Sequence, residues 1–334
     1  MKYVGLYTQV RRNNRLTVFL LLMFPVIILI TVWVFLLLVN YFGNGYYNEY
    51  GEFVNQVSMS DVNYYFLQAL PWVVGGVGVW FLFAYFNNTA MIKSATGARP
   101  LERRENPRVY NIVENLCMTC GMNMPKVNII DDPMLNAFAS GIDEKSYTVT
   151  VTTGLLDTLD DRELAGVIGH ELTHIRNRDT RLLVVSIVFV GIISTIMSMT
   201  VNFIDVIMRT GGASRRSNDD KGGGISIIVA LIIALVCSAI AYFFTSITRF
   251  AISRRREYMA DAGGAELCGD PRALASALRK ISGMTGLQQV KRDDIAQLFI
   301  ARPQALNGKR TNFLSSLFAT HPDINKRIEI LEQF

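Results

Sequence analysis

Two of the three histidines in this 334-residue chain, His170 and His174, stand four residues apart in VIGHELTHIRNRD, and Glu171 directly follows the first. A helix repeats about every 3.6 residues, so both imidazoles lie on one face with the carboxylate beside them. Neutral imidazoles bind zinc, and a carboxylate that does not bind the metal can act as a base on water. The pattern points to metal-assisted hydrolysis.

A catalytic zinc takes three protein ligands and keeps one position for water, so HELTH leaves one ligand to be found. His321 is the remaining histidine, while EYMAD offers Glu257 and Asp261 at i and i+4 on one helical face. A glutamate there is available to the metal, and an aspartate to an imidazole N–H. The blander reading makes Glu257 an ordinary helix carboxylate salt-bridged by Arg254, Arg255 and Arg256.

The elements that must position these groups are set by composition. Half of the residues are hydrophobic and 18% are charged. The apolar residues gather in long runs, which places the chain at a membrane. The first run, residues 16–39, is uncharged; roughly 24 residues at about 1.5 Å each exceed the hydrocarbon core of about 30 Å. Further runs lie at about residues 66–86, 182–204 and 225–247. The first lacks a small-residue cleavage site and leads into NYFGNGYYNEY, an aromatic interface belt, so it reads as a retained anchor. Lys2, Arg11, Arg12 and Arg15 precede it, and Glu49, Glu52 and Asp61 follow it, which orients the amino terminus to the cytoplasm. The Gly-rich connection between runs three and four carries Arg209, Arg215, Arg216 and Lys221, an unusual charge for an external loop. Because Glu257 and the histidines can share a metal only on one side of the membrane, those two runs are expected to form a hairpin. The expected division is 1–90 as a first transmembrane hairpin, 91–181 as the first catalytic part, 182–252 as a second hairpin and 253–334 as the second catalytic part.

In the polar block, residues 107–121 read as an amphipathic helix through Val109, Ile112, Val113 and Leu116, and KVNIIDD as a short buried strand. MLNAFASG and YTVTVTT read as paired strands. Asp160 and Glu163 fit a capping box that starts the HELTH helix, which therefore sits behind a small sheet. Asn136, Ala137 and Phe138 belong either to an exposed edge strand, to which an extended substrate adds by main-chain hydrogen bonds, or to an internal strand. Cys117 and Cys120 form the one close cysteine pair; with no second pair to complete a structural zinc site, they read as reduced thiols on a helix. The basic excess lies beside the apolar runs, as topology signals and not as a nucleic-acid stripe.

HELTH, then EYMAD beyond a hydrophobic hairpin, then THPDINKR near the end resemble the HtpX family of membrane zinc metallopeptidases, of the gluzincin type. The resemblance runs over residues 16–331 and includes the NAF segment, Asn136 to Phe138. It implies an α+β, polytopic helical membrane protein with a zincin-like, mostly helical catalytic domain and a small β-sheet. One Zn2+ per chain would be held by His170, His174 and Glu257, with Glu171 as catalytic base and Asp261 behind a ligand imidazole. His321 and Arg327 match the family's carboxyl-terminal HP motif and its following arginine, which implies substrate or transition-state contacts. The resemblance further implies polypeptide substrates, misfolded membrane proteins among them, and a bacterial-type inner membrane with the catalytic domain facing the cytoplasm.

Three other functions compete. A zinc-binding scaffold would have no use for Glu171. A transporter would need an intramembrane relay of ionisable groups, and only Asp205 and Arg249 lie near run ends. A CAAX-prenyl-protease-like enzyme would share the zinc chemistry but needs more than four runs to enclose a chamber.

Overall fold

The computed structural model describes residues 6–209, 227–251, 254–283 and 323–334. The expectations for His321 and for the Gly-rich loop with Arg215, Arg216 and Lys221 lie outside these residues. The chain divides into two units, each visited more than once: residues 20–83 with 188–246, and residues 1–19, 84–187 and 247–334.

The first of these units takes the apolar portions of four helices. They are α1 (Leu6–Gly43), α2 (Met59–Thr96), α6 (Asp179–Arg209) and α7 (Ile227–Ala251). Among the described residues, Val10–Gly43, Met59–Thr96 and Asp179–Ile207 are long and apolar enough to cross a membrane, and Val229–Phe243 is a shorter apolar stretch. Each helix extends beyond the run that signals it, because propensity carries the backbone on after hydrophobicity ends. Phe189 of α6 stacks on Phe24 of α1 at 4.6 Å and on Phe81 of α2 at 5.6 Å. The tyrosine-rich segment between α1 and α2 forms a small antiparallel hairpin, β1 (Gly45–Tyr47) with β2 (Phe53–Asn55), in addition to the aromatic belt expected there.

The second unit holds a sheet of β3 (Arg99–Pro100), β4 (Lys126–Ile130), β5 (Ala137–Ser140) and β6 (Thr148–Thr152) in the order β3-β4-β6-β5. β4 and β6 run parallel, while β5 is antiparallel to β6 with Phe138 opposite Thr150. The Thr/Val alternation of β6 suggests one wet face, yet all five residues are buried. Three helices lie around the sheet, and local signals mark two of them, α3 and α5. α3 (Pro107–Cys120) starts with Pro107 after an Asn106 cap, buries Val109, Val113 and Leu116, and ends at Gly121, whose φ of 64° suits a glycine cap. α4 (Thr153–Thr158) is a short turn of helix after β6. α5 (Asp161–Arg176) begins with the capping box, Asp160 accepting from the Glu163 N–H and Glu163 accepting from the Asp160 N–H. Cys117 is buried on α3, and burial pushes its thiol up to about 12, which keeps it an unreactive thiol.

After α7 come α8 (Arg254–Cys268), α9 (Pro271–Gly283) and α10 (Ile324–Glu332). α10 starts behind an Asp323 N-cap and buries Ile328 and Leu331. These join Leu274, Leu278, Leu164, Val167 and Ile168 in one core. Lys280 of α9 donates to Glu163 of α5 at 2.6 Å, and Arg279 pairs with Glu332 of α10.

Candidate active site

α5 and α8 cross in close contact because glycines face each other at the crossing. A Cβ on Gly264 would come within 2.7 Å of the His170 nitrogen, and one on Gly169 within 3.0 Å of the Gly264 oxygen. That approach brings Glu257 and Asp261, on one face of α8, onto the HELTH face of α5.

His170, His174 and Glu257 converge there. His170 Nε2 lies 3.2 Å from His174 Nε2, His174 Nε2 lies 3.5 Å from Glu257 Oε1, and His170 Nε2 lies 3.8 Å from Glu257 Oε2. One ligand atom from each residue can be chosen so that all lie within 4.8 Å of one another. Glu257 turns its carboxylate to the histidines.

The opposite edges of the two imidazoles decide what fits between them. His170 Nδ1 lies 2.9 Å from Asp261 Oδ1, and His174 Nδ1 lies 3.0 Å from Asp179 Oδ2. A carboxylate only accepts, so the hydrogen bond to Asp179 puts a proton on His174 Nδ1 and turns its Nε2 to the cluster, and Asp261 beside His170 Nδ1 favours the same tautomer there without a well-aligned hydrogen bond. Two lone pairs at 3.2 Å repel unless a positive charge lies between them. The charges around His174 favour a cation at the same place: burial disfavours the protonated imidazole, but the Asp179 hydrogen bond and the Glu257, Asp179 and Glu171 carboxylates outweigh burial and raise its pKa to about 9, so without a metal a proton takes that place on Nε2. A tetrahedral zinc with bonds of about 2 Å holds neighbouring donors roughly 3.3 Å apart. The donor chemistry and the spacing both suit such a cation.

Glu171 is buried beside this cluster, and its carboxylate accepts from the Ala139 N–H of β5 at 2.6 Å. Burial raises its pKa, against the lowering effect of the two histidines. Asp261 shows the reverse balance: burial would raise it, but Arg327 and His170 hold it down at about 2. Arg327 of α10 is 1% exposed, donates to both oxygens of Asp261 at 2.8 and 2.7 Å, and places Nη1 3.6 Å from Glu257 Oε2.

The strand carrying Asn136, Ala137 and Phe138 lies at the sheet edge, but it is not exposed: all three residues are at most 3% accessible. The Thr152 N–H donates to the Asn136 carbonyl, so register turns the backbone groups of Ala137 and Ala139 away from β6. The outward Ala139 N–H meets Glu171, and the Ala137 N–H meets the Asn136 side chain. Edge position and burial coexist because α5 lies against this side of β5.

The model of peptidase family M48 matches residues 103–334, and a protease HtpX homolog from Bacteroides fragilis is 52% identical over the full length of both chains. The chain belongs to peptidase family M48, among the HtpX proteases. Other HtpX homologs, from Dictyoglomus thermophilum and Lactobacillus helveticus, are 38% and 36% identical, covering 99% and 98% of this chain and 95% and 99% of their own. The crystal structure of S. mikatae Ste24p aligns over 80% of this chain and 58% of its own at 18% identity, with a TM-score of 0.47, a likeness too slight to assign anything. This M48 protein is a membrane metalloprotease that acts on polypeptides.

Sequence reasoning about this HtpX protease missed two groups behind its histidines. Asp179 was signalled only as a carboxylate five residues after His174. Asn13, whose amide donates to Asp179 Oδ1 at 2.6 Å, gave no signal, because 166 residues separate the partners.

Proposed function

We propose that the chain is a zinc endopeptidase of a bacterial-type inner membrane, crossing it several times, with its catalytic unit facing the cytoplasm and misfolded membrane proteins among its substrates. His170, His174 and Glu257 hold the ion. The observation that carries this reading is the pair of Nε2 atoms 3.2 Å apart whose opposite nitrogens both face carboxylates. When bound, zinc polarises the scissile carbonyl and acidifies the attacking water.

Glu171 takes the proton from that water on its carboxylate and delivers it to the leaving amine. Its raised pKa brings the base nearer to working pH, and the Ala139 N–H aims it. Asn136, Ala137 and Phe138 lie beneath α5, so in place of the open edge that an extended peptide would need, their strand backs the base through the Ala139 N–H. Arg327 and Asp261 act on His170 from behind. Both Asp261 oxygens already accept from Arg327, which supports a positioning role for that arginine in place of the substrate contact expected from its motif. The resemblance of the HP motif gives His321 the role of stabilising the developing oxyanion.

Glu171→Gln tests the reading. Purified in detergent, this variant should keep zinc at the parental stoichiometry while casein hydrolysis falls below detection. An active Gln variant removes Glu171 as the base, and a parent that binds no zinc removes the ligand set.

A further inference from the structure

Asn13 lies in the early turns of α1, ahead of the first apolar run, and is 1% exposed. Its Nδ2 amide has two hydrogens, and both are used: one on the Asn177 carbonyl at 2.8 Å, the other on Asp179 Oδ1 at 2.6 Å. Both acceptors belong to the turn between α5 and α6, whose middle residue, Arg178, has a φ of 60°. That left-handed conformation is uncommon for a residue with a side chain and needs support from its surroundings. Across the same carboxylate, Asp179 Oδ2 faces His174 Nδ1 at 3.0 Å. Arg256 Nη1 reaches Asp179 Oδ1 only at 3.6 Å.

We infer that Asn13 is a positioning residue for the metal centre: its amide clips the α5–α6 turn and fixes the Asp179 carboxylate that orients His174, so the first membrane helix takes part in building the site. The inference rests on the zinc reading of His174. Three features carry it. Asp179 opens α6, and its side chain has one short contact on each oxygen, so rotation of the carboxylate breaks both. A backbone acceptor two residues earlier is held by the same amide, which a general surface contact would not require. Finally, the residue is buried polar, and its two donors have no slack to satisfy other acceptors. Outer partners of this kind typically tune metal affinity by about 10- to 100-fold.

The same two segments also touch through Arg178 Nη1 and Asn14 Oδ1 at 3.2 Å, a contact that does not lead to His174. It provides the control. Zinc dissociation constants would be measured by chelator competition on the full chain in detergent, together with thermal unfolding of each preparation. Asn13→Ala should weaken zinc about tenfold and Asp179→Asn by about 10- to 100-fold, while Asn14→Ala stays within twofold of the parent. The double variant Asn13→Ala with Asp179→Asn should bind more weakly than Asp179→Asn alone by less than the Asn13→Ala effect, because the Asp179 link is cut twice and only the turn contact at Asn177 is lost anew.

Parental zinc affinity in Asn13→Ala overturns the inference, as does full additivity with Asp179→Asn. Equal weakening by Asn14→Ala overturns it too, since general docking of the helix would then explain the effect. Should Asn13→Ala not fold, Asn13→Gln carries the test: it keeps the amide but displaces it by one methylene, and parental affinity there would again overturn the inference. A parent without zinc affinity would instead strike the zinc reading itself.

Discussion

Arg327 holds Asp261 at two points, Nε to Oδ2 at 2.8 Å and Nη2 to Oδ1 at 2.7 Å, with both side chains buried. The two residues stand 66 positions apart in sequence, and Asp261 Oδ1 also faces His170 Nδ1 at 2.9 Å. The pair thus links α10 to a histidine of the proposed zinc site.

Arg327→Lys keeps the charge but not the two-point fork, so the Asp261 carboxylate can rotate. The expected result is zinc affinity lower by about tenfold, with hydrolysis at saturating zinc reduced by less. Direct stabilisation of the oxyanion by Arg327 would give the opposite split, parental zinc with turnover down by about 100- to 1,000-fold. Zinc titration and steady-state kinetics on one preparation separate the two.

Glu257→Ala removes one ligand and leaves two histidines facing each other. Zinc and activity should be lost together, with metal analysis of the purified protein as the measurement. Zinc content equal to that of the parent would reject Glu257 as a ligand.

Gly264→Ala places a methyl 2.7 Å from the His170 nitrogen and 2.9 Å from its Cα, both on the backbone of α5. Backbone cannot swing aside, so α5 and α8 must separate. Overpacking of this kind costs about 1–3 kcal/mol. The unfolding temperature should fall and zinc affinity with it, since Glu257 rides on α8. An unchanged unfolding temperature would mean that the crossing tolerates the methyl.

Glu163 predicts a pH dependence. Its burial favours the neutral acid, but hydrogen bonds from Lys280, Ser276 and the Asp160 N–H outweigh that and hold it below its ordinary 4.5. A carboxyl group whose pKa is lower folded than unfolded contributes stability that is fully present above the unfolded value and fades as pH falls through the folded one. Glu163→Gln should therefore be less stable than the parent by a constant amount above about pH 5. The gap should narrow below pH 4.5. Thermal unfolding from pH 3 to pH 7 reads the difference directly, and a gap that widens on acidification would reverse the sign of the assignment.

What the sequence determined by itself is the chemistry that neighbours in the chain can specify. The i, i+4 spacing of His170 and His174 follows from helical period, the Asp160–Glu163 box from the orphan N–H groups of a helix start, and the long apolar runs from the thickness of a bilayer. The Asn106, Pro107 and Gly121 signals bound α3 for the same local reasons. Only the tertiary structure decided which acid completes the histidine pair, because that depends on how closely α5 and α8 pack, and Gly169 and Gly264 set this from opposite sides of the crossing. It decided that the strand of Asn136, Ala137 and Phe138 is a buried edge, since alternation reports on faces but not on what covers them. It also turned Arg327 toward Asp261 and brought Asn13 to Asp179. Those contacts pair polar groups that burial would otherwise leave unsatisfied, and burial is a property of the packed chain that no window of sequence contains.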